Sequence, residues 1–215
     1  MANVIVFGVR YIEGIEVLYG TNTFHMVGRT TMLNLGRLLL PQRLGMITSA
    51  EMVWWVGGVS GGLVGGDRGK RLFTALLGSA TKCLPNLRCL NISIMWDPLA
   101  GRPHVGEEAV RGIMDEIVLP VDGMVQGFGP QMRECRIGIY HRLWCALRDG
   151  GLWTGVKYER GELPSVADRY WRPLLPGAEG EGQRDGPEGY WISEGYDDSP
   201  PYRFAHINPL YDYDG

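Results

Sequence analysis

The stretch Arg10-Tyr-Ile-Glu-Gly-Ile-Glu-Val-Leu-Tyr-Gly-Thr-Asn-Thr-Phe-His-Met26 sets the terms of the fold, because a helix, a stop and a strand succeed one another within it. Ile12, Ile15, Val17, Leu18 and Tyr19 give a nearly continuous apolar face at helical spacing, with Glu13 and Glu16 turned outward. Gly20 predicts the helix end, since glycine takes the left-handed C′ conformation without a steric penalty. Asn22 to Val27 then alternates polar and apolar among β-favouring residues, which predicts a strand.

The same succession continues downstream. Thr30 or Thr31 is positioned to cap a helix carrying Met32, Leu33, Leu35, Leu38 and Leu39, which Pro41 breaks or restarts before Leu44, Met46 and Ile47. Ala50 to Val56 reads as a second strand, and the six glycines between Gly57 and Gly66 as a loop. Asp67 is the expected N-cap of a helix with Leu72, Phe73, Leu76, Leu77 and Ala80 on one face. Leu87 to Trp96 is a third strand, Glu107 to Ile117 a helix, Pro120 to Pro130 a loop, Arg133 to Tyr140 a fourth strand and Arg142 to Arg148 a helix.

Strands joined by helical crossovers favour parallel pairing, so the expected fold class is α/β with a mostly parallel sheet. The phrase Leu84-Pro-Asn-Leu87-Arg-Cys-Leu90-Asn-Ile92 reads like a leucine-rich-repeat unit. The preferred architecture is therefore a degenerate repeat-like array, helices roofing one face and the other left as a bare platform. A compact open α/β sheet is the alternative. The domain is placed at residues 1–175. Residues 176–215, rich in Gly, Pro and acids, are expected to form a disordered tail.

Composition narrows the function classes. The 215 residues are 45% hydrophobic, with 32 glycines, about twice the usual share. A net charge of −3 argues against nucleic acid or an acidic membrane surface as partner. The asymmetry lies in the tail, where nine acids face only Arg184 and Arg203 and leave the body mildly basic. Cys83, Cys89, Cys135 and Cys145 sit in apolar segments and read as reduced, buried thiols. There is neither a signal-peptide pattern at Met1 to Val9 nor a run of about 18 apolar residues, so a cytoplasmic or nuclear address is expected.

Motifs for catalysis are sparse. A phosphate loop before Gly69-Lys70-Arg71 fails, with Val64 at the first glycine position and Arg71 at the hydroxyl position. His141 and Cys145 are four apart and face one side of a helix, but paired Cys-x-x-Cys ligands for zinc are lacking, and a nucleophilic pair needs a third orienting group. Glu107-Glu108 and Asp115-Glu116 read as solvated helix positions, and His25, His104, His141 and His206 are scattered. Trp54 and Trp55 project to opposite faces of one strand; with Trp96 they form the expected interaction surface. No catalytic residue, cofactor, metal or small-molecule ligand is expected, and the expected partner is another protein.

The first block resembles a family of uncharacterised fungal proteins whose motif runs Cys-Arg-x-Ile-Tyr-x-Glu-Ala-Ile-x-x-Leu-Tyr-x-x-Asn-Thr-Phe. Arg10, Tyr11, Ile12, Glu13, Gly14, Ile15, Leu18, Tyr19, Asn22, Thr23 and Phe24 stand at its positions. Leu38-Leu-Leu-Pro-Gln-Arg-Leu44, the strand ending in Trp54-Trp55, and Leu84-Pro-Asn-Leu87 are similar to the family's sequel. Members begin with an F-box-like segment, in whose place this chain has Met1 to Val9. The resemblance, strongest over residues 10–97, implies a leucine-rich-repeat-like body and a role related to F-box substrate adapters. A non-catalytic interaction module ranks first. A truncated family member without independent function, or a hydrolase or transferase near His141 and Cys145, are the alternatives.

Overall fold

The computed structural model describes residues 14–56, 66–96, 111–149, 158–159, 168–174 and 188–195, with backbone alone at 66, 67, 96, 142, 158 and 159. The strands are β1 (Thr23–Met26), β2 (Ser49–Val56), β3 (Cys89–Trp96), β4 (Glu134–Ile139), β5 (Tyr158–Glu159), β6 (Arg169–Pro173) and β7 (Gly189–Glu194). They form one seven-stranded sheet in the order β1-β2-β3-β4-β7-β6-β5. Pairing is parallel from β1 through β4 to β7, while β6 runs antiparallel to both β7 and β5. The α/β class with a mostly parallel sheet is therefore as the sequence predicts.

The helices are α1 (residues 14–21), α2 (Arg29–Leu33), α3 (Leu35–Leu38), α4 (Pro41–Leu44), α5 (Gly66–Cys83), α6 (residues 111–128) and α7 (His141–Asp149). Because β1 to β4 lie side by side in chain order, right-handed crossovers bring their helices to the same face. Packing bears this out. Phe24, Ala50, Leu90 and Cys135 stand in one register level and Met26, Met52, Ile92 and Ile137 in another. Both levels join one hydrophobic cluster with Met32 and Leu35, Phe73 and Leu76, Val121 and Phe128, and Leu143 and Trp144 from the helices. Each such side chain, fully buried, contributes about 1.5–3 kcal/mol.

The chain enters successive strands by the same hydrogen bonds. The amides of Arg88 and Cys89 donate to the Thr48 carbonyl at 2.8 and 3.0 Å, and those of Arg133 and Glu134 to the Arg88 carbonyl at 2.8 and 3.0 Å. The residue before each entry, Ile47, Leu87 or Met132, is buried. This recurrence is spatial, and irregular strand spacing hides it in the sequence.

Four expectations need correction. Residues 120–130 are not loop: a π-turn at Met114–Val118 runs on into helix Leu119–Phe128, and Pro120 is accommodated directly after the π-turn. Gly20 does not end α1; the helix runs to residue 21, and Thr21 Oγ1 and Asn22 Nδ2 bond the carbonyls of Val17 and Leu18 at 2.6 and 3.0 Å. Its apolar face is not wholly covered, since Val17 and Leu18 are exposed. Thr30 and Thr31 cap nothing: α2 has Gly28 at its N-cap and no side-chain cap bond. The glycine loop over 57–65 lies outside the described residues, and α5 already includes Gly66 and Asp67.

The largest correction concerns the boundary at residue 175. Gly189–Glu194, inside the segment expected to be a disordered tail, is a strand inserted between β4 and β6. Residues 175–187 and 196–215 lie outside the described residues. β7 is admitted by a glycine: a Cβ on Gly189 would stand 2.3 Å from the Arg172 carbonyl and 2.8 Å from the Trp171 ring. Gly189→Ala is expected to lower the unfolding free energy by about 1–3 kcal/mol, as overpacking does. Gly138→Ala, where the nearest atoms stand 3.8 Å away, is expected to be close to neutral. Urea unfolding of both variants checks the contrast.

Candidate functional site

The sheet face away from the helices carries polar and aromatic side chains in ordered rungs. One register level runs His25, Glu51, Asn91, Arg136, Trp191, Trp171 across six strands. His25 Nδ1 lies 3.0 Å from Glu51 Oε2, and Asn91 Nδ2 donates to Glu51 Oε1 at 3.4 Å. At the far end the Trp171 and Trp191 rings meet edge to face at 5.0 Å, and the Arg169 guanidinium lies 4.1 Å over Trp191. Neighbouring strands hold these side chains about 5 Å apart, so the rung is half-buried simply by being a rung.

The rung is not internally satisfied. Asn91 Oδ1, Arg136 Nε and, on β2 beside them, Trp55 Nε1 are buried without a hydrogen-bond partner among the described residues. An unmatched buried group of this kind costs about 1–3 kcal/mol. Nor is this face a bare platform. Val53 (1% exposed), Met95 (5%) and Ser193 (4%) are buried on it outside the main cluster, so its carboxyl-terminal half is covered, as parallel sheets generally are on both faces.

The tryptophans divide as their alternation requires. Trp54 is not part of an interaction surface: it is fully buried on the helix face, against Phe73 at 5.3 Å and under the Arg29 guanidinium at 4.8 Å. Trp55 is half-buried on the second face, and Arg29 Nη2 donates to its carbonyl at 2.6 Å. Trp96 ends β3 in register with Val56, and its side chain lies outside the described residues. Trp191 escapes the sequence reading because it lies in the segment expected to be a tail, and Arg169 and Trp171 because no element is assigned there between Arg148 and residue 175. The signal was the repeated Tyr-Trp dipeptide: Tyr170 and Tyr190 bury on the helix face, Trp171 and Trp191 turn to the other.

A second cluster stands at the carboxyl end of β4 and β7, the edge at which open α/β sheets place their chemistry. α7 begins directly after β4, with the Trp144 amide bonded to the Tyr140 carbonyl at 3.0 Å and the Trp144 ring 5.0 Å from Tyr170. The Gly195 amide donates to the Ile139 carbonyl at 2.6 Å, an approach that a side chain at 195 would obstruct. These contacts bring Glu194 to His141, whose Nδ1 bonds Glu194 Oε1. Cys145 Sγ, one turn along α7, lies 3.6 Å from His141 Nε2. The third group that the sequence did not place beside His141 and Cys145 is thus Glu194, from the segment read as tail. Cys145 is half-buried rather than buried, as are Cys83 and Cys89.

Buried polar groups elsewhere are structural. Tyr190 Oη donates to Asp122 Oδ1 at 2.7 Å, and Arg172 Nη2 to Asp122 Oδ2 at 2.8 Å. Burial first, and Asp122 second, raise the Tyr190 hydroxyl well above its ordinary range. Burial pushes the Cys135 thiol up from 9.0 to about 12. Asp115 is exposed and Glu116 half-buried on the π-turn, whereas Glu107, Glu108, His104 and His206 lie outside the described residues. Among the described residues no group of three His, Cys, Asp or Glu is placed to hold a metal ion, and no helix is long and apolar enough to cross a membrane. No protein-family model, curated protein or solved structure matches the chain.

Cys135 and Tyr190 both hold their protons more tightly folded than unfolded. The stability they contribute is intact below the unfolded thiol value of 9.0 and declines as pH rises toward about 12. Cys135→Ala is expected to start lower but lose less over that window. Urea midpoints followed from about pH 7 to about pH 11 test this; a decline as steep as wild type's would remove Cys135 from the account.

Proposed function

We propose that the chain is a non-catalytic protein-interaction module, acting in the cytoplasm or nucleus, that presents the second face of its sheet to a protein partner. We assign it to the uncharacterised fungal family its first block resembles, with a degenerate leucine-rich-repeat-like body and a role related to F-box substrate adapters. The observation that carries the reading is the half-buried polar rung His25–Glu51–Asn91–Arg136, which ends in Trp191 and Trp171. Arg169, Trp171 and Trp191 are the residue types in which binding energy concentrates, because they desolvate large area at little entropic cost. The recurring strand entries at Thr48 and Arg88 support the repeat-like body, and the absence of any disulfide among the four cysteines suits a reducing compartment.

Arg136→Ala and Trp191→Ala are the informative variants. Each is expected to reduce recovery of the wild-type partners in quantitative affinity capture by about tenfold or more. The melting temperature of each variant fixes how much of any loss is unfolding. Undiminished recovery of every partner by two well-folded variants would end the proposal.

A further inference from the structure

Of the four thiols, Cys145 alone lies beside an imidazole that is itself held by a carboxylate among the described residues. Glu194 on Nδ1 fixes the histidine proton there and leaves Nε2, the nitrogen nearer the sulfur, as the free base. The carboxylate has a second task. It fixes the orientation of the ring, since His141 is the first residue of α7 and Glu194 reaches it from the end of β7. The other charged or titratable groups around the pair are Arg148 and Asp149 on α7, bonded to each other at 3.1 Å, and Tyr170 and Asp168 from the start of β6. Arg148 itself follows Cys145 by three residues on the same helix. The His141 side chain is 43% exposed and Cys145 is half-buried.

We propose that Cys145 is a thiol-exchange site, a modification site that forms mixed disulfides with low-molecular-weight disulfides, with His141 as its base and Glu194 as the residue that positions the base. The thiol proton passes to His141 Nε2, and the thiolate attacks one sulfur of the incoming disulfide. A new S–S bond forms as the old one breaks, and the departing thiolate takes the proton from the imidazolium. The incoming disulfide is the oxidant, so electrons balance within the pair of reactants. The arrangement suits exchange better than acyl transfer. Cys145 lies beyond the first turn of α7, so its own amide is an in-helix donor and offers nothing to an oxyanion. Exchange needs only a thiolate and a proton carrier. The competing thiols lack this setting: Cys135 is buried with its proton firmly held, and Cys83 packs against Ser79 and Gly36.

The test is exposure of the full-length chain to oxidised glutathione, with acid quench and site-by-site mass analysis at about pH 6 and about pH 8. In wild type, Cys145 is expected to be modified about tenfold faster than Cys83 or Cys89 near pH 6. Its rate should fall by clearly less than the roughly tenfold per pH unit of an ordinary thiol. His141→Gln should restore the ordinary rate and slope, and Glu194→Gln should lie between. Rates for Cys145 no greater than for Cys83 and Cys89 in the wild-type chain overturn the proposal without recourse to any variant. So does a His141→Gln protein whose rate and pH slope match wild type.

Discussion

One carboxylate holds the later part of the chain to the earlier part. Asp122, on the helix that crosses from β3 to β4, accepts from Tyr190 on β7 and from Arg172 on β6. A largely buried carboxylate is costly unless fully satisfied, and here both oxygens are engaged. The requirement works in both directions. The helix supplies the acceptor for the antiparallel pair, and the pair compensates the helix's charge. The π-turn ahead of Pro120 belongs to the same constraint, since it changes the helical phase just before Val121, Met124 and Val125 turn to the core.

The seating of β7 has effects on both sides of the sheet. On the second face it extends the polar rung by Trp191 and, through β6, by Trp171, turning a four-strand array into a broader surface with an aromatic end. At the carboxyl edge it delivers Glu194 to His141. The polar rung and the carboxylate beside His141 thus share one strand but not one face: Trp191 points one way, and Glu194, three residues on, the other.

The first four strands were legible because each is an apolar run with its own crossover helix, and a parallel pairing needs nothing more specific. Trp54 and Trp55 were assigned to opposite faces by period alone, and the faces are as assigned. What could not be read depends on partners distant in sequence. Pro120 looks like a break until the π-turn is seen to precede it. Gly189-Tyr-Trp-Ile-Ser-Glu194 looks like tail because its neighbours are Gly, Pro and acid, although Tyr190-Trp-Ile192 is a run of β-favouring residues. The Glu194–His141 contact spans dozens of residues and rests on a glycine, Gly195, whose importance appears only where two backbones meet. Composition averaged over a window conceals a strand shorter than the window.

The lengths of the strands have a consequence for solubility. Eight residues in β2 and β3 taper to four in β1 at one rim and two in β5 at the other, among the described residues. A rim of two to four residues presents few unpaired amides and carbonyls for a second molecule to zip onto. The short described rims thus work against end-on polymerisation of a chain with this much β-forming sequence.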